Sequence, residues 1–171
     1  MSDREAEFRE FVGARMEALR GLAYLTCGDW QLAEDAVLQA LAKLYGRWPR
    51  VDNPEAYART AVVRAAIDET RRPWWRRERS HSHAAMPEVA PTDHTPEVDE
   101  RLRLRAALGR LPPRLRAVLV LRFLEGLSVR ETATELRMPE GTVKAYTSRG
   151  LDALRTILHE RSEDTHATRN A

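Results

Sequence analysis

The chain has 171 residues, a formal net charge of +2 and one cysteine, Cys27. This length suffices for two small domains. One cysteine excludes an internal disulfide, and no Cys/His set has the spacing of a zinc site. The charged N-terminus lacks an apolar signal region, and no apolar run approaches the length of a membrane span. We therefore expect a cytoplasmic protein with no metal, no cofactor and no membrane-spanning segment.

Three amphipathic helices are predicted in the first half of the chain. Apolar side chains recur at helical spacing over residues 6–26 and again over residues 30–48. Asp29 lies between the two segments and is the expected N-cap of the second helix. Residues 50–53 are predicted to form a loop, because Asp and Asn favour turns and the residue before a proline resists helix. Pro54 then opens a third helix that ends near residue 72.

The second half is also predicted to be helical, after a break in composition. Residues 80–97 contain prolines, serines and histidines with little periodic hydrophobicity, which is typical of a flexible linker. Further helices are expected over residues 98–108, 114–124, 128–136 and 139–158, and residues 161–171 are expected to be a disordered tail. The predicted fold class is all-α, with two small helical domains joined by a flexible linker.

The last two predicted helices form a helix-turn-helix over residues 127–154. Ser128 with Glu131 three residues later is a capping box, which marks the start of the first helix. Arg137 occupies a turn position where glycine is common, so we expect an altered turn. Thr132 stands where such a motif has a larger apolar residue, so a weaker inner contact is expected.

The second helix of this motif has the features of a DNA recognition helix. Its exposed face near the N-terminal half carries Lys144, Ala145, Ser148 and Arg149. The positive end of the helix dipole and the backbone amides around Gly141 and Thr142 suit phosphate. Lysine or arginine one turn further along reaches the acceptors of guanine in the major groove. The pattern therefore predicts binding to duplex DNA.

Short motifs along the chain resemble those of a known family. Leu-Pro-Pro-Arg at 111–114, Val-Leu-Arg-Phe at 120–123, Gly-Leu-Ser at 126–128 and Pro-Glu-Gly-Thr-Val-Lys at 139–144 resemble region 4 of extracytoplasmic-function (ECF) sigma factors of the sigma-70 family. Leu-Thr-Cys-Gly-Asp at 25–29, Ala-Glu-Asp at 33–35, Leu-Tyr-Gly-Arg-Trp at 44–48 and Pro-Glu-Ala-Tyr at 54–57 resemble region 2. The resemblance implies region 2 over residues 1–79, the linker over residues 80–97 and region 4 over residues 98–160.

The resemblance also implies a function and partners. Such factors bind the core of bacterial RNA polymerase, through the β′ clamp helices and the β flap, and direct it to promoter DNA. Region 4 reads the −35 element as duplex, and region 2 captures the melted −10 strand. An anti-sigma factor is a further possible partner.

The resemblance assigns roles to three sets of residues. Expected −35 contacts are Gly141, Thr142, Lys144, Ala145, Ser148 and Arg149. Expected −10 contacts are Asp52, Asn53, Arg59, Arg64, Arg71, Arg72, Trp74 and Trp75, where arginine suits phosphate and an exposed indole stacks on an unpaired base. For Trp74 and Trp75, packing against the region 2 core is an equal alternative. Expected polymerase contacts on the exposed face of the second helix are Asp35, Leu38 and Gln39.

Three positions depart from the family pattern. Gln39 is displaced by one residue, and the acidic residue that usually follows it is lost. Arg64 stands where asparagine is common, and Tyr146 stands where arginine is common. We expect Tyr146 to turn inward and to leave base reading to fewer side chains.

Other functions are weighed against this one. An enzyme is not expected, because the chain has no phosphate-cradling glycine loop and no nucleophile elbow. A response-regulator-like transcriptional regulator carries a similar helix-turn-helix, but it needs an N-terminal receiver of alternating strands and helices. A polymerase- or partner-binding module that has lost DNA recognition is the third reading.

Overall fold

The computed structural model describes residues 3–71 and 95–169, with the side chains of the last helix described as far as residue 160. All regular structure in these ranges is helical, which confirms the all-α prediction. The chain divides into two compact units, Met1–Ala85 and Met86–Ala171. Among the described helices, none is both long and apolar enough to cross a membrane. Arg72, Trp74 and Trp75 lie outside the described residues.

The N-terminal unit is a bundle of three long helices. Helix α1 spans Asp3–Cys27, α2 spans Trp30–Arg47 and α3 spans Pro54–Arg71, with a 3-10 turn at Trp48–Arg50. The turn between α1 and α2 is fixed by Asp29, whose side chain accepts the backbone N–H of Leu32 at 3.0 Å. Asp29 is therefore the predicted N-cap, because it satisfies a donor that α2 itself cannot pair.

Small side chains form much of the core of this unit, so the three helices approach closely. The buried residues are Leu19, Ala23, Cys27, Ala33, Ala36, Val37, Ala40, Leu41, Leu44, Ala58, Val62, Ala65 and Ala66. The half-buried Trp48 extends this core, because its ring packs on Phe8 and Phe11 with centroids 5.1 and 5.3 Å apart. Cys27 is buried, and its thiol donates to the carbonyl of Asp29 at 3.2 Å, as suits a structural cysteine.

Ion pairs connect α1 to both other helices of the unit. Arg20 binds Glu34 on α2 and also Glu17, at 3.1 Å, on α1. The hydrogen bond to Glu34 is the main reason that the pKa of Arg20 is raised above its usual value. Arg15 binds Glu55 at the start of α3 at 2.9 Å. The Arg15–Glu55 pair is solvent-exposed and Arg20 is half-buried, so packing of the alanine-rich core contributes more to stability than these pairs do.

The C-terminal unit holds four α-helices within the described residues. Helix α4 spans Pro96–Gly109, α5 spans Pro113–Leu119, α6 spans Val129–Leu136 and α7 spans Glu140–Arg169. A π-helical turn, Val120–Leu124, continues α5, and Gly126 ends it with a φ of 68°, a conformation that glycine adopts without strain. Leu119, Val120 and Leu121 are buried where these elements meet.

Three boundaries of this unit differ from the predictions. Helix α4 begins at Pro96, inside the segment predicted to be linker, because proline is well suited to a first helical position. The last turn of the predicted helix at 114–124 is π-helical rather than α-helical. Helix α7 continues to Arg169, through most of the tail that was predicted to be disordered. Apolar periodicity ends near residue 158, but no proline or glycine follows it to break the helix.

Candidate functional site

The helix-turn-helix predicted over residues 127–154 is present as α6, a short turn and α7. Its capping box forms in both directions: the N–H of Glu131 donates to Ser128 Oγ at 3.1 Å, and the N–H of Ser128 donates to Glu131 Oε2 at 2.7 Å. Arg137 closes α6 with φ 51° and ψ 51°, a left-handed conformation that residues other than glycine adopt only with strain. The sequence predicted a strained or altered turn at this position. The turn is therefore made with arginine at a cost that glycine would avoid.

The inner side of the motif is a small apolar cluster. Val118, Ala133 and Val143 are buried at its centre, and Val129, Leu136, Met138 and Tyr146 pack against them. Thr132 is fully buried as well, and its hydroxyl has no hydrogen-bond partner within the described part of the chain. A buried hydroxyl without a hydrogen-bond partner is destabilising. It gives a physical cause for the weaker inner contact that was predicted at this position.

The outer side of α7 is exposed along its N-terminal half. Lys144, Ala145, Ser148 and Arg149 are all solvent-exposed. A Cβ added at Gly141 would have open space around it, so another molecule can approach the backbone there. The N–H of Thr142 is already used, because it donates to the carbonyl of Pro139 at 3.0 Å. The Thr142 amide is therefore engaged within the turn, whereas the amides of Glu140 and Gly141 precede the first hydrogen bonds of the helix itself. Phosphate binding by the amides around Gly141 and Thr142 stays a prediction.

Tyr146 and Arg149 form a pair on α7. Tyr146 is half-buried against the apolar cluster, which confirms the expectation that it turns inward. The guanidinium of the exposed Arg149 lies over its ring, 5.0 Å from the ring centroid. The inward turn of the tyrosine therefore brings its ring into a cation–π contact with a candidate DNA-reading residue.

A groove of about 420 Å³ runs beside the exposed face of α7. Lys144 and Ser148 line it together with Arg122, Arg155 and Asp152. Arg155 and Asp152 are ion-paired at 3.2 Å. Sequence reasoning missed Arg155 and Arg122. The spacing of Lys144, Ser148 and Arg155 along one helical stripe was available as a signal. Arg122 reaches the groove from the π-helical turn, which no local pattern predicts.

The predicted polymerase contacts on α2 differ in exposure. Leu38 is 59% exposed, which is unusual for so large an apolar side chain. Gln39 is half-buried and donates to Glu69 Oε1 on α3 at 2.6 Å, and Glu69 is only 3% exposed. The prediction that Gln39 lies on the exposed face is wrong, because its side chain turns to Glu69 on α3. Asp35, which was predicted on the same face, is half-buried as well.

Asp35 and the predicted −10 residues are also partly engaged within the N-terminal unit. Asp35, Arg59 and Arg64 are half-buried and interact with other residues. Asn53 caps α3: its Oδ1 accepts the N–H of Ala56 at 3.0 Å, and its carbonyl accepts the N–H of Tyr57 at 3.1 Å. Asp52 and Arg71 are exposed. The structure thus keeps Asp52 and Asn53 in one loop that leads into the helix carrying the arginines.

Comparison with known proteins gives this arrangement a family. The model of sigma-70 region 2 matches residues 11–76, and the model of sigma-70 region 4 matches residues 101–154. The chain is 36% identical to the RNA polymerase sigma-E factor of Streptomyces coelicolor, over 94% of this chain and 91% of the relative. The chain belongs to the sigma-70 family. It is a sigma factor of the ECF type, as the resemblance in its motifs predicted.

Further comparisons agree with this assignment. The sigma factor is 31% identical to the ECF RNA polymerase sigma factor SigM of Mycobacterium tuberculosis, over 82% of this chain and 71% of the relative. Its fold is similar to that of RpoE from Bartonella quintana, solved in complex with the anti-sigma factor NepR. That match has a TM-score of 0.63 and 21% identity, and covers 90% of this chain and 97% of the other.

The assignment selects among the functions left open by the sequence. As a sigma factor, the protein is a transcription initiation factor that binds core RNA polymerase and directs it to promoter DNA. A receiver domain of alternating strands and helices is excluded for the described residues of the N-terminal unit, because they are wholly helical. The response-regulator-like alternative therefore fails on both family and fold.

Proposed function

We propose that the N-terminal half of α7 reads the −35 element of the promoter. The observation that carries the proposal is the two-sided character of this helix: Val143 and Tyr146 pack inward while Lys144, Ser148 and Arg149 face solvent. A helix held from behind by a core presents its outer side chains with little freedom, as base reading in a major groove requires. Ala145 gives close apolar contact on the same face.

The backbone near the start of α7 is proposed to bind phosphate. Gly141 is exposed and open, and the positive end of a long helix lies there. Thr142 contributes through its half-buried side chain rather than its amide, which is bonded to Pro139. Phosphate contacts of this type position the helix, whereas the side chains one turn further along carry the sequence preference.

For the N-terminal unit, we propose that Leu38 and Asp35 on α2 contact the β′ clamp helices. The support is the exposed apolar surface of Leu38. Asp35 lies about one helical turn before it on α2 and is half-buried. Gln39 acts indirectly, by bonding the buried Glu69 and holding α2 against α3. The β flap is the proposed polymerase partner of the C-terminal unit.

The −10 element is proposed to meet the loop before α3 and the arginines that follow. Asp52 and Asn53 supply polar groups at the loop, and Arg59, Arg64 and Arg71 lie along α3. The proposal extends to Arg72, Trp74 and Trp75, because arginine binds phosphate and indole stacks on unpaired bases.

The remaining parts of the proposal concern context. The protein is proposed to act in the cytoplasm and not to be an enzyme. An anti-sigma factor is a proposed further partner, since the similar Bartonella protein was solved with one. Region 2 is proposed over residues 1–79 and region 4 as far as residue 160, with its start moved to Pro96 by the observed helix.

The decisive experiment is transcription with purified components. The protein is mixed with bacterial core polymerase and a library of duplex promoters randomised at −35 and −10, and the transcribed sequences are identified. We expect a defined subset to be transcribed, and core polymerase alone to show no such selection. A matched pair of variants, Arg149→Ala on α7 and Arg103→Ala on α4, should alter and preserve the selected −35 sequences, respectively. Binding of duplex DNA without specific initiation would overturn the proposal.

A further inference from the structure

Two arginines on α7 are oriented by the side chain three residues before them, in chemically different ways. Arg155 is paired with the carboxylate of Asp152 at 3.2 Å. Arg149 instead lies over the aromatic ring of Tyr146, with 5.0 Å between the guanidinium carbon and the ring centroid. The ion pair uses N–H donors of Arg155 and neutralises its charge, whereas the contact with the ring does neither to Arg149.

The ring contacts Arg149 through the positive charge of its guanidinium. A ring face has no lone pair that accepts a conventional hydrogen bond, so a cation–π contact leaves the N–H donors of the guanidinium available, together with its full charge. Those donors are the groups that form paired hydrogen bonds to guanine or to phosphate. A carboxylate at the same position would occupy them. The contact between Tyr146 and Arg149 therefore orients the side chain without using the groups that recognise DNA.

The direction in which Arg149 is held also matters. Long side chains on a helix lean toward its N-terminus, so Arg149 leans over the turn that contains Tyr146. Tyr146 is itself half-buried against Val118, Ala133 and Val143, and this packing fixes its ring. The guanidinium is thus supported on the side nearest the N-terminal half of α7, which is the half that enters the groove in helix-turn-helix proteins.

We propose that Tyr146 is a positioning residue that orients Arg149 for reading the −35 element. This inference rests on the proposed function of α7. Its physical basis is that an arginine already held in one orientation loses less side-chain entropy on binding than one that moves freely. Tyr146 thereby sharpens base selectivity without contacting a base itself.

The experiment measures selectivity in the assembled holoenzyme. Core polymerase carrying the full chain is bound to the duplex selected by transcription and to duplexes with single changes in the −35 element. Tyr146→Leu, which keeps apolar volume but has no ring, should reduce the selectivity ratio about two- to fivefold, the weight of an exposed cation–π contact. Tyr146→Phe, which keeps the ring, should retain the wild-type ratio.

A double-mutant cycle separates positioning from packing. In the Arg149→Ala background, Tyr146→Leu should cause no further loss of selectivity, because no guanidinium remains to be held. Circular dichroism melting checks that each variant folds, and Tyr146→Met replaces Tyr146→Leu if the latter unfolds the unit.

Each contrary result has a distinct meaning. An equal loss of affinity for all duplexes, present both with the wild-type Arg149 and in the Arg149→Ala background, would reduce Tyr146 to a packing residue and overturn the inference. An unchanged ratio for Tyr146→Leu would overturn it as well. If the wild-type holoenzyme prefers no −35 sequence, the proposed function fails before any variant is tested, and the inference fails with it.

Discussion

The two units of this sigma factor present their candidate binding residues in opposite ways. On α7, Lys144, Ser148 and Arg149 are exposed, and the helix is held by other side chains behind them. In the N-terminal unit, Gln39 bonds a buried glutamate and Asn53 caps a helix. The candidate contacts on α7 are therefore separate from the residues that hold the fold, whereas two candidate contacts of the N-terminal unit also make hydrogen bonds that hold its helices.

This difference predicts how each unit responds to substitution. Changes on the outer face of α7 should alter DNA binding and leave stability as it is. Changes at the polar candidates of the N-terminal unit should alter stability and function together. The chain offers a convenient probe for the second case, since its four tryptophans all lie before residue 80 and tryptophan fluorescence therefore follows the N-terminal unit.

The largest effect is expected at Arg149. Arg149→Ala should reduce −35 selectivity by about 1–3 kcal/mol, because a base-reading arginine is lost. The melting temperature should stay unchanged, since the side chain is exposed. Holoenzyme binding to the selected and singly altered duplexes measures the first quantity, and circular dichroism measures the second. An equal loss of affinity for all duplexes would make Arg149 a phosphate contact. A fall in melting temperature would show that Arg149 also stabilises the fold, contrary to the comparison made for α7.

The next effect concerns two neighbours on α2. Gln39→Ala should lower the free energy of unfolding by about 1–3 kcal/mol, because it removes a hydrogen bond from the buried Glu69. Leu38→Ala should change that free energy by less than about 0.5 kcal/mol, because Leu38 is exposed. Urea unfolding followed by tryptophan fluorescence gives both values.

The same pair of variants tests the proposed polymerase surface. The affinity of each variant for core polymerase is measured. Leu38→Ala should weaken this binding by more than its small effect on the free energy of unfolding explains. Gln39→Ala could weaken polymerase binding and still unfold at the same urea concentration as the wild type. That result would make Gln39 a direct polymerase contact, and the comparison between the two units would be wrong for α2.

A smaller effect is expected at the cap of α3. Asn53→Ala should destabilise the N-terminal unit by about 1 kcal/mol, because the N–H of Ala56 loses its acceptor. Asn53→Asp keeps an acceptor oxygen and should restore most of that stability. Promoter opening by the Asn53→Asp holoenzyme, followed with a reactive probe for unpaired thymines, then reports on DNA contact alone. Normal opening by this variant would assign Asn53 a structural role only.

The smallest effect has the opposite sign. Thr132→Val should stabilise the C-terminal unit by up to about 1 kcal/mol, because it replaces a buried, unpaired hydroxyl with a methyl group of similar size. Thr132→Ser keeps the hydroxyl and should not stabilise. Melting of the full chain, monitored by circular dichroism, compares the two. Destabilisation by valine would mean that the hydroxyl has a partner, such as a bound water.

Local signals in the sequence predicted the helices and the motif well. The capping box of Ser128 and Glu131 and the N-cap Asp29 both depend on residues within a few positions of one another. Periodic apolar residues likewise located the three helices of the N-terminal unit. Such features are encoded by neighbours in the chain, so one sequence contains the information needed to predict them.

Contacts between distant positions were not predictable in the same way. Gln39 and Glu69 are thirty residues apart in sequence, and their bond depends on how closely α3 packs on α2. The inward turn of Tyr146 was expected, but its cation–π contact with Arg149 depends on the packing that fixes the ring. The end of α7 was misjudged for another reason, because loss of amphipathic pattern does not itself end a helix.

One close contact limits how α7 packs on α5. At Gly150 the backbone of α7 comes so near α5 that an added Cβ would lie 3.1 Å from Leu119 Cδ1. An alanine there would require the end of the Leu119 side chain to shift by a few tenths of an ångström, and a larger side chain would push α7 away from α5. The start of α7 at Glu140 lies roughly 15 Å from Gly150, so any tilt about this contact displaces the exposed residues near that end. We therefore expect a bulky side chain at position 150 to change promoter choice without touching DNA.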